Sequence, residues 1–185
     1  MIPIAVLDAN ILFPMILRDT LLRVAAAGGF RAHWSDRILE EMTRNLVEQH
    51  RISPTQADRL VAQMNMAFPE SSVEDWKPFE LTMQNDPKDR HVAAAAARCG
   101  AALIVTANLK DFEPLPAGIA AIGPDTFLRD RFAAMPEAVL TALRKQVAGY
   151  RNPPATIETL LAWLEKDLPE FVAAVRSALD QGESP

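Results

Sequence analysis

The chain of 185 residues contains a single cysteine, Cys99. One thiol cannot form an intrachain disulfide, and it excludes a zinc site built from several cysteines. Histidine is scarce as well, with three residues in the whole chain. A metal site with sulfur or imidazole ligands is therefore not expected. The absence of a disulfide framework is typical of a reducing compartment, so we expect a cytoplasmic protein.

Long apolar runs are also missing. Charged residues interrupt every apolar stretch before it reaches the roughly 18 residues that a membrane-spanning helix needs. Residues 1–7 are apolar, but they are few, have no basic flank and run directly into Asp8. They do not have the form of a signal peptide. We expect neither a transmembrane segment nor a membrane partner.

The chain has an excess of negative charge, with a formal net charge of −5. This balance argues against a broad basic surface that coats nucleic acid. The cations are mostly arginine, fourteen against five lysines, and the planar guanidinium group suits phosphate oxygens. A genome rich in G and C produces the same bias without any function, so composition leaves nucleic-acid binding open.

Short apolar segments alternate with amphipathic ones, and this order predicts an α/β fold with a central parallel sheet of about four to five strands. Hydrophobic residues make up 49% of the chain, enough for a sizeable core. The predicted strands are Ile4–Leu7, 30–34, 102–105 and 119–122, with a short extended segment near 72–73. The predicted helices between them span about 14–27, 35–49, 53–68 and 87–99, and another begins at 124.

The strands cease after about Arg131. Prolines then separate three apolar helical segments, 136–150, 156–164 and 169–179. We divide the chain into an α/β domain, residues 1–128, and a C-terminal helical extension, residues 129–185. The extension is too apolar for a solvated linker, so we expect it to dock on the α/β domain, on another copy or on a partner.

Four acidic residues have positions that suit a common site. Asp8 directly follows the first strand, and Asp111 follows the third, at the edge where ligands of parallel sheets bind. Asp89 lies near a helix start, and Glu41, rather than its neighbour Glu40, borders the apolar side of its helix. Clustered carboxylates repel one another unless a cation neutralises them. Such a cluster indicates Mg²⁺ or Mn²⁺ and suits phosphodiester hydrolysis.

Taken singly, each acid also has a purely structural explanation. Asp8 can cap the following helix. Asp86 is the natural cap before Pro87, which leaves Asp89 in a first turn where the helix dipole favours a carboxylate. Glu41 can belong to a solvated face, and Asp111 can be a turn acid. Spacing alone does not choose between these explanations and a metal site.

The combination of four motifs is more specific. In chain order they are Val-Leu-Asp-Ala-Asn (6–10), Ser-Asp-Arg-Ile-Leu-Glu-Glu-Met (35–42), Asp-Pro-Lys-Asp-Arg-His-Val-Ala-Ala-Ala (86–95) and Ile-Val-Thr-Ala-Asn-Leu-Lys-Asp-Phe (104–112). Over residues 1 to about 128, the chain resembles the PIN-domain family of metal-dependent ribonucleases, and within it the bacterial VapC-like toxins. The Thr-x-Asn-x-x-Asp-Phe segment is the most specific part of this resemblance.

The resemblance implies a PIN-like three-layer α/β/α fold and an endoribonuclease that uses Mg²⁺ or Mn²⁺. It implies RNA cleavage to a 5′-phosphate and a 3′-hydroxyl, a homodimer, and an antitoxin partner that inserts near the acidic pocket. The catalytic and metal-binding residues that it implies are Asp8, Glu41, Asp89 and Asp111. Substrate-positioning roles fall to Asn10, Thr106, Asn108 and Arg90. Compact toxins of this family end near the last strand, so the helical extension departs from their pattern.

The leading functional hypothesis is therefore a toxin ribonuclease of a toxin–antitoxin module. The alternatives are a PIN-domain protein of RNA processing and a non-catalytic binding module in which the acids are only caps and surface charges. A hydrolase with an aspartyl nucleophile is disfavoured, because Asn10 stands where it needs a second aspartate. The cations expected to contact phosphate are Arg37, Arg44, Arg90 and Lys110, whereas we expect His91 to be a surface or packing residue.

Overall fold

A computed structural model of the protein describes residues 2–182. Within this range the chain forms two compact units: residues 3–14 with 31–122, and residue 2 with 15–30 and 123–182. The division into 1–128 and 129–185 stays a prediction, and residues 1 and 183–185, the ends of those two regions, lie outside the described residues.

The first unit is built around a parallel sheet of four strands. These are β1 (Ile4–Leu7), β2 (Arg31–His33), β3 (Leu103–Val105) and β4 (Ala120–Ile122). Their order is β2-β1-β3-β4, and every neighbouring pair is parallel. The last three residues of β1 are completely buried, as a continuous apolar run in a central strand requires. The predicted α/β fold with a central parallel sheet is confirmed.

Ten α-helices and one 3-10 helix make up most of the rest of the described chain. The α-helices are α1 (Ala9–Leu12), α2 (Met15–Ala26), α3 (Asp36–Glu48), α4 (Pro54–Ala67), α5 (Lys77–Glu80), α6 (Arg90–Cys99), α7 (Pro124–Ala134), α8 (Pro136–Gly149), α9 (Ile157–Leu164) and α10 (Pro169–Gly182), and the 3-10 helix is Leu109–Phe112. None of the helices within residues 2–182 combines the length and the apolar character needed to cross a bilayer.

Local signals set several of these helix starts. The Ser35 hydroxyl accepts the Ile38 N–H at the start of α3. Ser53 and Gln56 form the predicted capping box of α4. Four alanines of α6, residues 93–96, are completely buried where the helix packs against β1 and β3. Small side chains allow this close approach of helix and sheet.

The helix predicted over about 14–27 is confirmed as α2, but the short helix α1, which begins directly after Asp8, was not predicted. The predicted helix start at Pro87 is wrong, because α6 begins at Arg90. The Asp86 carboxylate accepts the Lys88 N–H at 2.9 Å and so stabilises a turn instead of capping a helix.

The second unit joins α2 to the C-terminal helices. Helix α2 packs against α8, and the Thr20 hydroxyl makes a buried hydrogen bond of 2.9 Å to the Gln146 side-chain oxygen. Helix α10 packs against α7, with Phe132 and Phe171 edge to face. Asp125 on α7 accepts the Phe171 N–H at 2.8 Å. The three predicted C-terminal helices are confirmed as α8, α9 and α10.

Candidate active site

The candidate site begins where β1 and β3 end side by side. Asp8 directly follows β1 and is 4% exposed, whereas Thr106 directly follows β3 and is completely buried. The Asp8 N–H donates to the Val105 carbonyl at 3.1 Å, which keeps the two strand ends together. The chain leaves β1 toward β2 on one side and returns to β3 on the other. Ligands of open parallel sheets bind at such a switch point.

Hydrogen bonds fix the orientation of the Asp8 carboxylate. Its Oδ2 atom accepts the Thr106 hydroxyl at 2.8 Å and the Asn10 side-chain amide at 2.7 Å. The Asn108 N–H donates in turn to the Thr106 hydroxyl at 3.0 Å. Burial raises the pKa of Asp8, against the opposing effect of the Thr106 hydrogen bond. Asp8 makes no capping hydrogen bond to α1, so the structural explanation of this residue as a helix cap is not supported.

Asp111 lies on the 3-10 helix that follows Asn108. The Asn108 amide donates a short hydrogen bond to the Asp111 carboxylate. The Asp111 carbonyl accepts the Asp86 N–H at 3.0 Å and the Asn85 side-chain amide at 3.3 Å. These contacts join the segment of Asp111 to the turn that precedes Asp89. Asn85, which is 1% exposed, was not singled out in the sequence, and its position before the Asp-Pro turn is the signal that could have found it.

Asp89 occupies the N-cap position of α6, but its carboxylate makes no capping hydrogen bond. Burial, and after it the negative charges of Asp8, Asp111 and Glu41 in that order of importance, together raise its pKa to about 6. Among residues 2–182, no group donates a hydrogen bond to this carboxylate. The four predicted acids are thus electrostatic neighbours around an unpartnered carboxylate.

Glu41 faces these acids from α3, half-buried, whereas Glu40 is exposed. Its Oε2 atom lies 3.3 Å from Nε2 of His91, a distance that suits an ion pair, although neither imidazole nitrogen has a well-aligned hydrogen bond. The contact with His91 lowers the pKa of Glu41, and Arg44 and Arg37 add to this effect.

His91 is completely buried, so of the two expected alternatives, a surface residue and a packing residue, the second describes it. Helical periodicity could have found it, because His91 shares the buried face of α6 with Ala94 and Ala95. Its ring also packs near Trp76, with the ring centroids 6.1 Å apart.

The predicted phosphate-binding cations have different surroundings. Arg37 and Arg44 are exposed on α3, and Lys110 is exposed on the 3-10 helix. Arg90 donates its Nε–H to the Asn85 carbonyl at 3.0 Å, so part of its guanidinium group stabilises the turn before α6. Its role in substrate positioning stays a prediction.

The chemistry of the acidic cluster fits a hard divalent cation. Its donors are carboxylate, amide and hydroxyl oxygens, which Mg²⁺ and Mn²⁺ prefer. The unpartnered Asp89 carboxylate, with three negative neighbours, is the kind of group that a cation stabilises. Within the described part of the chain, however, no three Asp, Glu, His or Cys side chains converge tightly enough to form a complete metal cage. The chemical types of these ligands therefore suit Mg²⁺ or Mn²⁺, but to coordinate an ion the carboxylate groups have to move closer to one another.

Comparison with known families gives two matches. Residues 5–110 match the PIN domain, and residues 124–177 match the VapC50 C-terminal domain. The first match contains Asp8, Glu41 and Asp89, and it ends one residue before Asp111. The second covers most of the helices after β4, so the helical extension that departs from compact toxins has a counterpart in known proteins.

The chain is also similar to a curated protein, "Putative ribonuclease VapC50" of Mycobacterium tuberculosis (strain ATCC 25618 / H37Rv). The two are 41% identical over 103 residues, which cover 54% of this chain and 61% of the relative. No solved structure matches the chain. The parallel sheet and the PIN match together confirm the predicted PIN-like α/β/α class with C-terminal helices. The chain belongs to the PIN domain family.

Proposed function

We propose that the protein is a Mg²⁺- or Mn²⁺-dependent endoribonuclease that hydrolyses RNA phosphodiester bonds. The observation that carries this proposal is that three acids from separate segments, Asp8, Asp111 and Glu41, are close enough to Asp89 to act on it electrostatically. Burial and then the negative charges of Asp8, Asp111 and Glu41 together raise the pKa of Asp89 to about 6. Like charges held together in this way destabilise a protein unless they bind a cation. The similarity to a relative named a ribonuclease supports the same activity.

Asp8, Asp89, Asp111 and Glu41 would hold one or two metal ions. When bound, such ions lower the pKa of water and offset negative charge on the reacting phosphate. The protein's own contribution is orientation. Thr106 and Asn10 hold the Asp8 carboxylate. Hydrolysis in this family leaves a 5′-phosphate and a 3′-hydroxyl, and we expect the same products here.

Two further contacts orient Asp111 and Glu41. Asn108 orients the Asp111 carboxylate through its side-chain amide. His91 contacts Glu41 from inside the unit, where it limits the directions that the carboxylate can take. All of these groups act on carboxylates, so their roles are in positioning.

The test is the Asp8→Asn variant, which keeps the shape of the side chain and removes its charge. We expect it to lose metal-dependent cleavage of single-stranded RNA by at least about 100-fold, the scale of one electrostatic group in an active site, while its thermal unfolding remains cooperative. Asp58→Asn is the matched control, because Asp58 is exposed on α4 and outside the acidic cluster. Cleavage at the wild-type rate by Asp8→Asn would contradict the proposal.

We further propose that the protein is the toxin of a bacterial toxin–antitoxin module, that it forms a homodimer, and that an antitoxin inhibits it near the acidic cluster. The match of residues 124–177 to the VapC50 C-terminal domain supports this context. Expression of the chain alone should arrest growth, and co-expression of a small neighbouring reading frame should restore it. Growth without arrest would favour the alternative of an RNA-processing enzyme, and size-exclusion chromatography tests the dimer.

A further inference from the structure

A charged groove lies beside the acidic cluster in the first unit. Its volume is about 590 Å³, within the range of sites that enclose a small ligand. Glu41, one of the four acids, lines the groove, and so does Lys88, which directly precedes Asp89. The groove therefore continues from the candidate catalytic residues. Its lining residues are Asp36, Arg37, Glu40, Glu41, Arg44, Trp76, Lys77 and Lys88.

Cations from three separate elements meet in this groove. Arg44 lies on α3, Lys77 begins α5, and Lys88 lies in the turn before α6. All three are exposed, and the described part of the chain contains no ion pair to any of them. Arg37 differs, because its guanidinium group lies 3.6 Å from a Glu80 carboxylate oxygen. Three cations are thus available to bind an anion in a chain whose net charge is −5.

Buried side chains hold the wall of the groove in place. Trp76 is 3% exposed, and its indole N–H donates to the Asp36 carboxylate at 2.9 Å. The Lys77 ammonium lies 5.9 Å from the centre of the Trp76 ring. The Trp76 ring also lies near His91, with the ring centroids 6.1 Å apart, and His91 contacts Glu41. The position of Lys77 is therefore linked through packed rings to a residue of the acidic cluster.

We propose that this groove binds the sugar–phosphate backbone of single-stranded RNA, with Arg44, Lys77 and Lys88 each contacting a phosphate next to the scissile bond. This inference rests on the proposed nuclease function and specifies its substrate. A concave groove of this size can enclose the backbone of one strand, whereas a duplex presents a broad surface with its bases paired and stacked. Phosphate contacts carry no sequence information, so the groove supplies affinity and register rather than base specificity.

The experiment compares two triple variants. One replaces Arg44, Lys77 and Lys88 with glutamine. The matched control makes the same change in net charge at exposed cations of the same unit that do not line the groove: Arg31→Gln, Arg51→Gln and Arg59→Gln. Cleavage kinetics are measured with Mn²⁺ and a single-stranded oligonucleotide. Binding is measured by fluorescence anisotropy in an Asp8→Asn background, from 50 to 300 mM salt, for the single strand and for its duplex.

We expect the groove variant to raise KM about tenfold or more at about 150 mM salt, with kcat within about twofold of wild type. The salt dependence of binding should become shallower by about 2 on a log–log scale, because each contact to a single-stranded phosphate contributes about 0.7. The control should retain the KM and the salt dependence of wild type, and the duplex should bind more weakly than the single strand.

The outcomes separate this inference from the proposed function. If wild type cleaves RNA but the groove variant matches the control in KM and salt dependence, the groove proposal is overturned and the nuclease remains. Equal binding of duplex and single strand overturns the substrate assignment. If wild type cleaves RNA with neither Mg²⁺ nor Mn²⁺, the proposed function fails, and loss of binding in the groove variant alone would still support an RNA-binding groove.

Discussion

Asp89 carries a carboxyl group whose ionised form the fold disfavours. Its pKa rises from 3.8 to about 6, first because of burial and then because Asp8, Asp111 and Glu41 are negative. Between these two values the folded state binds a proton that the unfolded state does not. The stabilisation from this proton is complete below the unfolded pKa and disappears as the pH rises through about 6. At pH 8, without metal, the ionised Asp89 therefore destabilises the protein.

Asp89→Asn should consequently stabilise the metal-free protein at pH 8. Asp89 is half-buried, so we allow for solvent screening and expect about 1 kcal/mol, or a rise in Tm of about 2–4 °C. The gain should shrink toward zero at pH 4, where Asp89 is protonated in the folded state. Thermal unfolding in EDTA at both pH values, with Asp58→Asn as control, measures it. A lower Tm for Asp89→Asn at pH 8 would show that the carboxylate is stabilising.

The side chain of Thr106 connects the ends of β1 and β3 at the candidate site. The Thr106 hydroxyl, at the end of β3, donates to Asp8 at the end of β1 and accepts the Asn108 N–H. Two motifs that are far apart in the sequence, 6–10 and 104–112, are thus joined through a single buried oxygen atom. A buried carboxylate that loses such a donor becomes less stable in its ionised form.

Thr106→Val removes the hydroxyl while it keeps the shape of the side chain. We expect a loss of about 1–3 kcal/mol in the free energy of unfolding, the cost of an unsatisfied buried polar group, and reduced cleavage. Thr106→Ser, which keeps the hydroxyl, should lose less stability and retain most of the activity. Urea unfolding and RNA cleavage measure both. If Thr106→Ser lost as much stability and activity as Thr106→Val, the hydroxyl would contribute no more than the methyl group, and the proposed role of the hydroxyl would be contradicted.

Local sequence signals determine the start of α4 but not the start of α6. The capping box at Ser53 was predicted and is present, because all of its hydrogen bonds form within four residues. The start of α6 was misplaced, because Asp86 stabilises a turn that also bonds to the distant Asp111 carbonyl. A hydrogen bond between residues so far apart in the chain cannot be predicted from the residues around the helix start.

Because the chain forms two compact units that are each built from separate segments, a shortened chain can lose part of a unit. Helix α2 precedes β2 in the sequence, yet it belongs to the same compact unit as the C-terminal helices. Its buried side chains include Leu17, Thr20, Leu21 and Val24, and it packs against α8 and α9. The predicted boundary after residue 128 would separate α2 from these two helices.

A chain that ends at Leu128 should therefore fold poorly. Its α2 would lose the packing against α8, and Thr20 would lose its hydrogen bond to Gln146. Each large apolar side chain returned to water costs about 1.5–3 kcal/mol, against a total stability of about 5–15 kcal/mol for a typical protein. We expect no cooperative thermal transition by circular dichroism and strong binding of a hydrophobic dye. A cooperative transition at the full-length Tm would support an independent domain in 1–128.

The amino-acid pattern alone was enough for the fold class, the parallel strands and the C-terminal helices, because periodicity and capping act over a few residues. The order of the motifs was enough to select Asp8, Glu41, Asp89 and Asp111 as candidates. Three features required the folded chain: the unpartnered carboxylate of Asp89, the buried contact between His91 and Glu41, and the groove beside them. Each depends on side chains from distant segments, whose distances and burial are fixed only when the helices pack on the sheet.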